Sequence, residues 1–400
     1  MIEPEGRVRV ALVAGTLARG GAEKQFTYMV RALSRAEVDV RVYCFTAGEH
    51  FEAELRSGGT TPLQVGGSRL RKSLALVREL RRFRPDLVQA SHAFVNPYVA
   101  LAGRLCGALS VGAIRNDGRY EAQAHGVWRR AVLRAPFALL VNSEAARLNL
   151  QSLGVPGSRI HLLQNVIDLP GFDRTGDLVS APRLADPCVI AVGRLAPEKR
   201  LDRFVAAVAL ARRRIPQLTG YVVGEGPLRP ELERQATALG LEAGGLRFLG
   251  AQSAIPALLG QAAALVLTSA QEGTPNVVLE AMVARRPVIT TSAGDAATLV
   301  RDGETGYVVK FDDIAGLSER IVQIVNSAEL GQRLGLAGYA AVQQDHDAAL
   351  LPERLLRVYG TIARQARRHR VVSLLKSHAS RFGLGDGTAP ASALDEAPAG

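Results

Sequence analysis

Cysteine, aromatic residues and long apolar runs are all scarce in this 400-residue chain, and each shortage excludes something. Its three cysteines (Cys44, Cys106 and Cys188) are an odd number with no Cys-x-x-Cys spacing. A disulfide framework and a cysteine zinc site are therefore not expected, and a reducing cytoplasm fits. Aromatics make up 5% of the chain. They do not interleave with basic residues, which argues against single-stranded nucleic acid, whose bases need stacking platforms. No stretch approaches the roughly 18 consecutive apolar residues of a spanning helix. Residues 1–15 carry Glu3 and Glu5 ahead of a short strand-like run, so no signal peptide is expected. No strand is followed by Gly-x-Gly-x-x-Gly; Gly224-Glu225-Gly226 comes nearest but lacks the third glycine.

What is present is ample for a core: 47% hydrophobic residues with 22% charged. At this length two or three domains are expected. The net charge of +11 is lopsided, because residues 1–175 hold 24 Lys and Arg against 15 Asp and Glu, whereas the remainder holds 25 against 23. A basic first half points toward an anionic surface, nucleic acid or a membrane leaflet.

A short β-branched run, a glycine-bearing loop and a helical pattern recur throughout. The runs are residues 8–14, 38–45, 87–90, 109–114 and 137–141, then 188–192, 220–223, 246–249, 264–267, 288–291 and 306–309. Such alternation predicts βαβ units and a parallel sheet, and the near-continuous apolar character predicts strands covered on both faces. Turn formers (Pro170, Gly171, Gly176, Pro182, Pro187) separate two such series. The fold class is therefore α/β, with two doubly wound Rossmann-like domains. The first spans residues 1–170, a linker 171–187, and the second domain 188–347. Residues 371–400, ending in a Gly/Ala/Pro/Ser-rich stretch, are expected to be a disordered tail.

Ligands of open parallel sheets bind beyond the carboxyl ends of the strands, so the chemistry should lie just after them. After the first strand, Gly20 and Gly21 open a helix; they serve either a tight turn or close approach to a phosphate. After residues 188–192, Arg194 and Lys199 lie five apart across a turn, spaced to clamp a diphosphate as a fork and a point charge. After residues 264–267 come Glu272 in a Gly/Thr/Pro loop and Glu280 one turn into a helix. The free amides of Asn276 and Val277 at that helix start make a phosphate site, and a carboxylate at Glu280 can hold a ribose diol.

In order, the chain reads Gly-Gly-Ala-Glu, Val-Gly-Arg with Lys199 following, Val-Gly-Glu-Gly-Pro, Phe-Leu-Gly, Glu-Gly-Thr-Pro-Asn-x3-Glu-Ala-Met, Pro-Val-Ile and Gly-x-Thr-Gly-Tyr. This series resembles the family-4 retaining glycosyltransferases of GT-B fold over residues 8–365, in particular those that build bacterial cell-surface polysaccharides. The resemblance implies a helix, residues 348–370, returning from the second domain to the first. It implies that Arg194 and Lys199 neutralise the donor diphosphate, Glu280 holds the ribose hydroxyls, and Glu272 faces the donor sugar. It puts the amides of Asn276 and Val277 at sugar and phosphate, Gly21 of the first domain over the phosphates, and Gly224 and Gly226 near the nucleotide.

The chain departs from relatives at Arg285, where glycine is usual, and at Gly294-Asp295-Ala296-Ala297-Thr298, where Gly-Gly-x-x-Glu is common. It departs again at Arg115-Asn116-Asp117, where relatives often place a histidine. His92, after residues 87–90, is the nearest histidine, read either as structural or as an acceptor-side residue. The one Asp-x-Asp, Asp345-His346-Asp347, reads as a helix cap, so no metal and no cofactor are expected and the nucleotide sugar is the substrate. The implied reaction moves a sugar from a nucleotide-diphosphate donor to a glycan or lipid-linked acceptor with retention. A nucleotide-sugar epimerase, a phosphorylase and a non-catalytic nucleotide-sugar-binding subunit are the alternatives. Residues 69–84 hold Arg69, Arg71, Lys72, Arg78, Arg81, Arg82 and Arg84 against Glu79, with Leu70, Leu74, Val77, Leu80 and Phe83 at helical spacing. The pattern predicts an inward apolar stripe and an outward basic face, either merely solvated or docking a cytoplasmic enzyme on the anionic inner membrane surface.

Overall fold

In the computed structural model, residues 7–119, 123, 126–174 and 181–381 are described. Two parallel sheets organise them. The first holds β1 (Arg9–Ala14), β2 (Asp39–Cys44), β3 (Leu63–Gln64), β4 (Leu87–Ala90), β5 (Leu109–Ile114), β6 (Ala138–Val141) and β7 (Ile160–Leu162), in the order β3-β2-β1-β4-β5-β6-β7. The second holds β8 (Cys188–Val192), β9 (Thr219–Val223), β10 (Leu246–Gly250), β11 (Ala264–Leu267), β12 (Val288–Thr291) and β13 (Gly306–Val309), in the order β10-β9-β8-β11-β12-β13.

Alternation decides which face each strand residue serves. In β1, Val10, Leu12 and Ala14 join the core beneath the helix Gly21–Arg35, while Ala11 and Val13 join the core beneath the helices Arg69–Phe83 and Asn96–Cys106. In β8, Val189 and Ala191 face one core and Cys188 and Ile190 the other. Both faces of each sheet are covered, which is why the strands read as apolar runs rather than alternating ones. β3 and β7 escaped the sequence reading because two or three residues show no period.

The segments between and after the two sheets refine the domain boundaries. Helix Leu169–Arg174 occupies the start of the stretch read as a linker, and Ile167, Leu169 and Phe172 pack into the second domain's core. Residues 175–180 lie outside the described residues. Helix Leu351–Gln365 buries Leu355, Tyr359 and Ile362 against the first domain, beside helix Gly21–Arg35. A fully buried aliphatic side chain such as Leu355 contributes about 1.5–3 kcal/mol. The tail reading is corrected for residues 371–381: they belong to helix His369–Arg381, which buries Val371, Leu374 and Leu375 in the same core. Those three sit at helical spacing, a signal hidden by the low-complexity sequence that follows. Residues 382–400 lie outside the described residues.

The apolar stripe of helix Arg69–Phe83 is also shorter than expected. Leu76, Val77, Leu80 and Phe83 are buried, but Leu70 and Leu74 are 70% and 63% exposed. The four buried residues join a core with Ala11, Val13, Tyr43, Val65, Val88 and Ala90 of the first sheet and its edge. Leu70 and Leu74, in the helix's first two turns, lie outside that core.

Candidate functional site

In each sheet the chain runs outward on one side of its first strand and then returns to start the other side. The reversals fall between β1 and β4 and between β8 and β11. A crevice opens at such switch points, beyond the strand ends. The loops leaving these four strands carry Gly20 and Gly21, Ser91 and His92, Arg194 and Lys199, and Ser269 and Glu272.

In the second domain two loops are tied together before any side chain meets. The Ala270 amide donates to the Glu198 carbonyl at 2.8 Å, and the Thr268 hydroxyl donates to the Lys199 carbonyl at 3.1 Å. This brings the Lys199 ammonium to 2.6 Å from Glu272 Oε1. Ser269 Oγ donates to the same oxygen at 2.7 Å. Glu272 is 8% exposed, and these donors take the place of the water its carboxylate has lost. Helix Asn276–Val283 follows directly, and Pro275 at its N-cap leaves its first turn without a side-chain cap. Its open amides face the crevice end of the unit.

Arg194 follows a different course. Its guanidinium pairs with Glu198 and its side chain is 66% exposed, so the cation is tethered at the rim. The loop that carries it is zipped to the one holding Gly224 and Gly226: the Gly193 amide donates to Val223 and the Leu195 amide to Glu225, each at 2.9 Å. Gly224 has φ +134°, and a Cβ there would meet the Gly193 carbonyl oxygen at 1.9 Å. The two glycines thus shape the Arg194 loop by close backbone packing.

The first domain closes on this surface through helix Gly21–Arg35. Lys24 Nζ lies 2.8 Å from Glu280 Oε1. Burial opposes the charge on Lys24, but Glu280 outweighs it and holds the ammonium above its ordinary value. Gln25 grips the backbone of Val166 at both ends of its amide and donates to Asn276 Oδ1 at 3.0 Å. Asn165 Nδ2 donates to the same oxygen and to the Thr274 carbonyl, each at 2.9 Å. Gly21 sits so close that a Cβ would fall 2.3 Å from Asn276 Nδ2. Thr274 Oγ1 in turn donates to the Asn142 carbonyl of the first domain.

His92 is satisfied within its own domain. Ser91 Oγ is 2.6 Å from Nδ1 and Glu23 Oε1 is 3.1 Å from Nε2, and the ring stacks on Phe94. Arg115, directly after β5, has a buried Nε without a hydrogen-bond partner. Burial lowers its pKa to about 10. Asp347 caps the turn after β13's domain by accepting from the Ala349 amide at 2.9 Å, and His346 Nδ1 lies 2.8 Å from the Asn165 carbonyl. Asp347 and His346 are thus each engaged within the chain.

Glu272, Lys199, Asn276, Glu280 and Gly21, all named from sequence, meet in this crevice, and Val277 lies half-buried beside Asn276. Sequence reading missed Lys24, Gln25, Asn165 and Ser269. Lys24 and Gln25 directly follow Gly-Gly-Ala-Glu, one helical turn from a glycine already singled out. Asn165 comes after the three-residue β7 and had no pattern to announce it.

Comparison with known proteins places this geometry. Residues 19–170 match the family model described as Glycosyltransferase Family 4, and residues 186–327 match that described as Glycosyl transferases group 1. The chain is 27% identical over 332 residues to the lipopolysaccharide core biosynthesis glycosyltransferase LpsE of Rhizobium meliloti, covering 80% of this chain and 90% of that protein. It is 26% identical to the GalNAc-alpha-(1->4)-GalNAc-alpha-(1->3)-diNAcBac-PP-undecaprenol alpha-1,4-N-acetyl-D-galactosaminyltransferase of Campylobacter jejuni, covering 82% and 91%. Among solved structures, Alr3699/HepE of Anabaena in complex with UDP superposes with a TM-score of 0.76 at 20% identity, covering 88% of this chain and 100% of that one.

Proposed function

Because the chain belongs to the family-4 glycosyltransferases of GT-B fold, we propose that it transfers a sugar, with retention, from a nucleoside diphosphate sugar to a glycan or lipid-linked acceptor in cell-surface polysaccharide biosynthesis. The observation that carries this reading is the Lys199–Glu272 pair, buried at the second domain's switch point beside an uncapped helix start with Glu280 one turn further on.

Transfer requires the anomeric C–O bond to break while a diphosphate departs, so charge grows on the β-phosphate. Groups aimed there before the reaction stabilise the transition state more than the bound substrate. Lys199 and, swinging from the rim, Arg194 supply that charge, assisted by the amides of Asn276 and Val277. With these cations as the electrophilic partners, the reading needs no divalent ion. Glu280 holds the ribose diol, Gly20 and Gly21 close over the phosphates, and Gly224 and Gly226 keep the Arg194 loop at the nucleotide. Glu272 binds hydroxyls of the donor sugar, already oriented by Lys199 and Ser269. Attack from the face the diphosphate leaves, with a phosphate oxygen taking the acceptor's proton, gives retention without a covalent intermediate.

The first domain supports docking at an anionic leaflet. Helices Arg69–Phe83, Asn96–Cys106 and Arg129–Arg134 pack side by side, and they present Leu70, Leu74, Leu101 and Leu105 to solvent, with Val127 and Trp128 just ahead of the third helix. Among the described residues no helix is long and apolar enough to cross a membrane. Exposed leucines within a basic surface fit reversible binding on the inner face, where each Lys or Arg near the surface adds about 1 kcal/mol.

UDP or GDP release measured with and without a glycan acceptor panel tests the central reading. Release that depends on an acceptor is expected; acceptor-independent turnover, or binding without turnover, would turn the assignment to an epimerase, a phosphorylase or a binding subunit.

A further inference from the structure

We propose that Asp295 is a positioning residue that fastens the two domains together and, through the same loop, holds Glu272 in place. Its effect on turnover rests on the glycosyl-transfer reading; its effect on structure does not.

Asp295 follows β12 in the second domain, yet its carboxylate is spent on the first. Oδ2 accepts from the Glu144 amide at 3.0 Å and Oδ1 from the Ala145 amide at 3.2 Å. These are the first two N–H groups of helix Glu144–Ser152, which have no partner within their own helix and carry its partial positive charge. The local cap, Ser143, serves only the third, accepting from Ala146 at 3.1 Å. One domain therefore caps a helix of the other. Asp295 is 3% exposed, so parting the domains strands either the carboxylate or the amides unless water enters. Burial pushes its carboxyl above the ordinary value even though the two amides pull the other way.

The backbone around Asp295 ties this clasp to the candidate active site. The Asp295 amide donates to the Gly273 carbonyl at 3.0 Å. Gly294 has φ +54°, and a Cβ there would lie 2.1 Å from the Glu272 carbonyl oxygen. The loop of Asp295 thus rests directly on the backbone of Glu272 and Gly273. A Cβ on Gly273 would in turn strike Asn142 and the Arg115 carbonyl of the first domain. Closure and the placement of Glu272 are one packing event.

The test uses the full chain with Asp295→Ala, Asp295→Asn and Glu144→Pro. The last removes one amide donor from the opposite domain at little cost, since proline suits the first helical position and Ser143 is already extended (φ −138°, ψ 149°). Hydrogen exchange by mass spectrometry should quicken in Asp295→Ala over residues 143–150 and also over residues 270–277. Small-angle scattering should show a larger radius of gyration. Asp295→Asn, which keeps one acceptor, and Glu144→Pro should give intermediate changes of the same pattern. With an active donor and acceptor, kcat in Asp295→Ala should fall about tenfold or more while donor KM stays within about threefold. Quickened exchange confined to residues 143–150, with residues 270–277 and the scattering unchanged, would overturn the proposal. If no donor supports turnover by the unmodified protein, the glycosyl-transfer reading fails, while exchange and scattering still decide the clasp.

Discussion

Lys24, on the first helix of the first domain, holds the Glu280 carboxylate of the second domain at 2.8 Å. The carboxylate proposed to bind ribose is therefore already engaged at one oxygen from across the crevice.

Glu280→Gln should raise the dissociation constant for the nucleotide about tenfold, the loss of a hydrogen bond to a charged acceptor, with kcat little changed. Calorimetric titration with UDP and GDP measures it. Lys24→Gln should lower stability by about 1 kcal/mol, because the two side chains are only 33% and 15% exposed and the change leaves Glu280 without its charged partner. A large loss of turnover with normal affinity in Glu280→Gln would remove the ribose role.

Glu272→Gln should lower kcat about 100-fold with donor KM within about threefold, because its contact with the reacting sugar changes in the transition state. Lys199→Ala and Arg194→Ala should each cost about 100-fold or more through lost stabilisation of the leaving diphosphate. Unfolding curves separate the two cations. Lys199→Ala strips Glu272 of its charged partner and should destabilise the domain, whereas rim-exposed Arg194→Ala should change stability by less than about 0.5 kcal/mol. Activity should survive EDTA; a loss reversed by Mg²⁺ or Mn²⁺ would contradict the metal-free reading.

Stability should fall as the pH drops from about 7.5 to 5.5. Burial pushes the imidazoles of His346 and His161 below their ordinary value of 6.5. In that window the unfolded chain takes up protons that the folded chain refuses, so unfolding is favoured as pH decreases. Urea titrations at stepped pH values should show a shallower dependence in His346→Gln, His161→Gln and, most of all, the double variant. Slopes identical to that of the unmodified protein would show that neither histidine is the proton acceptor.

Sedimentation with anionic liposomes should capture the protein at low salt and release it at high salt, since surface charge is screened beyond about 10 Å at 0.1 M. Arg78, Arg81 and Arg82 changed together to Ser should abolish capture. Leu70→Ser with Leu74→Ser should weaken it while leaving stability unchanged, because both leucines are exposed. Capture of neutral and anionic liposomes alike, or none at low salt, would detach the membrane from this protein's function.

Much of this architecture is written locally. Apolar runs of four to six residues, each followed by a loop and helical periodicity, encode the central strands of both sheets, because β pairing and burial on two faces demand that composition wherever the run falls. The same locality made Glu272 and Glu280 legible: seven residues separate them across one loop and one helical turn, so their spacing is a property of the segment itself. Lys24 and Glu280 stand 256 positions apart, and Asp295 and Glu144 stand 151 apart; no period or motif links them. Those meetings arise only when two sheets, each complete in itself, close with their switch points face to face. A long-range contact is fixed by the packing of whole domains, and a carboxylate such as Asp295 looks in sequence like any other loop charge until a helix end from the opposite domain arrives to meet it.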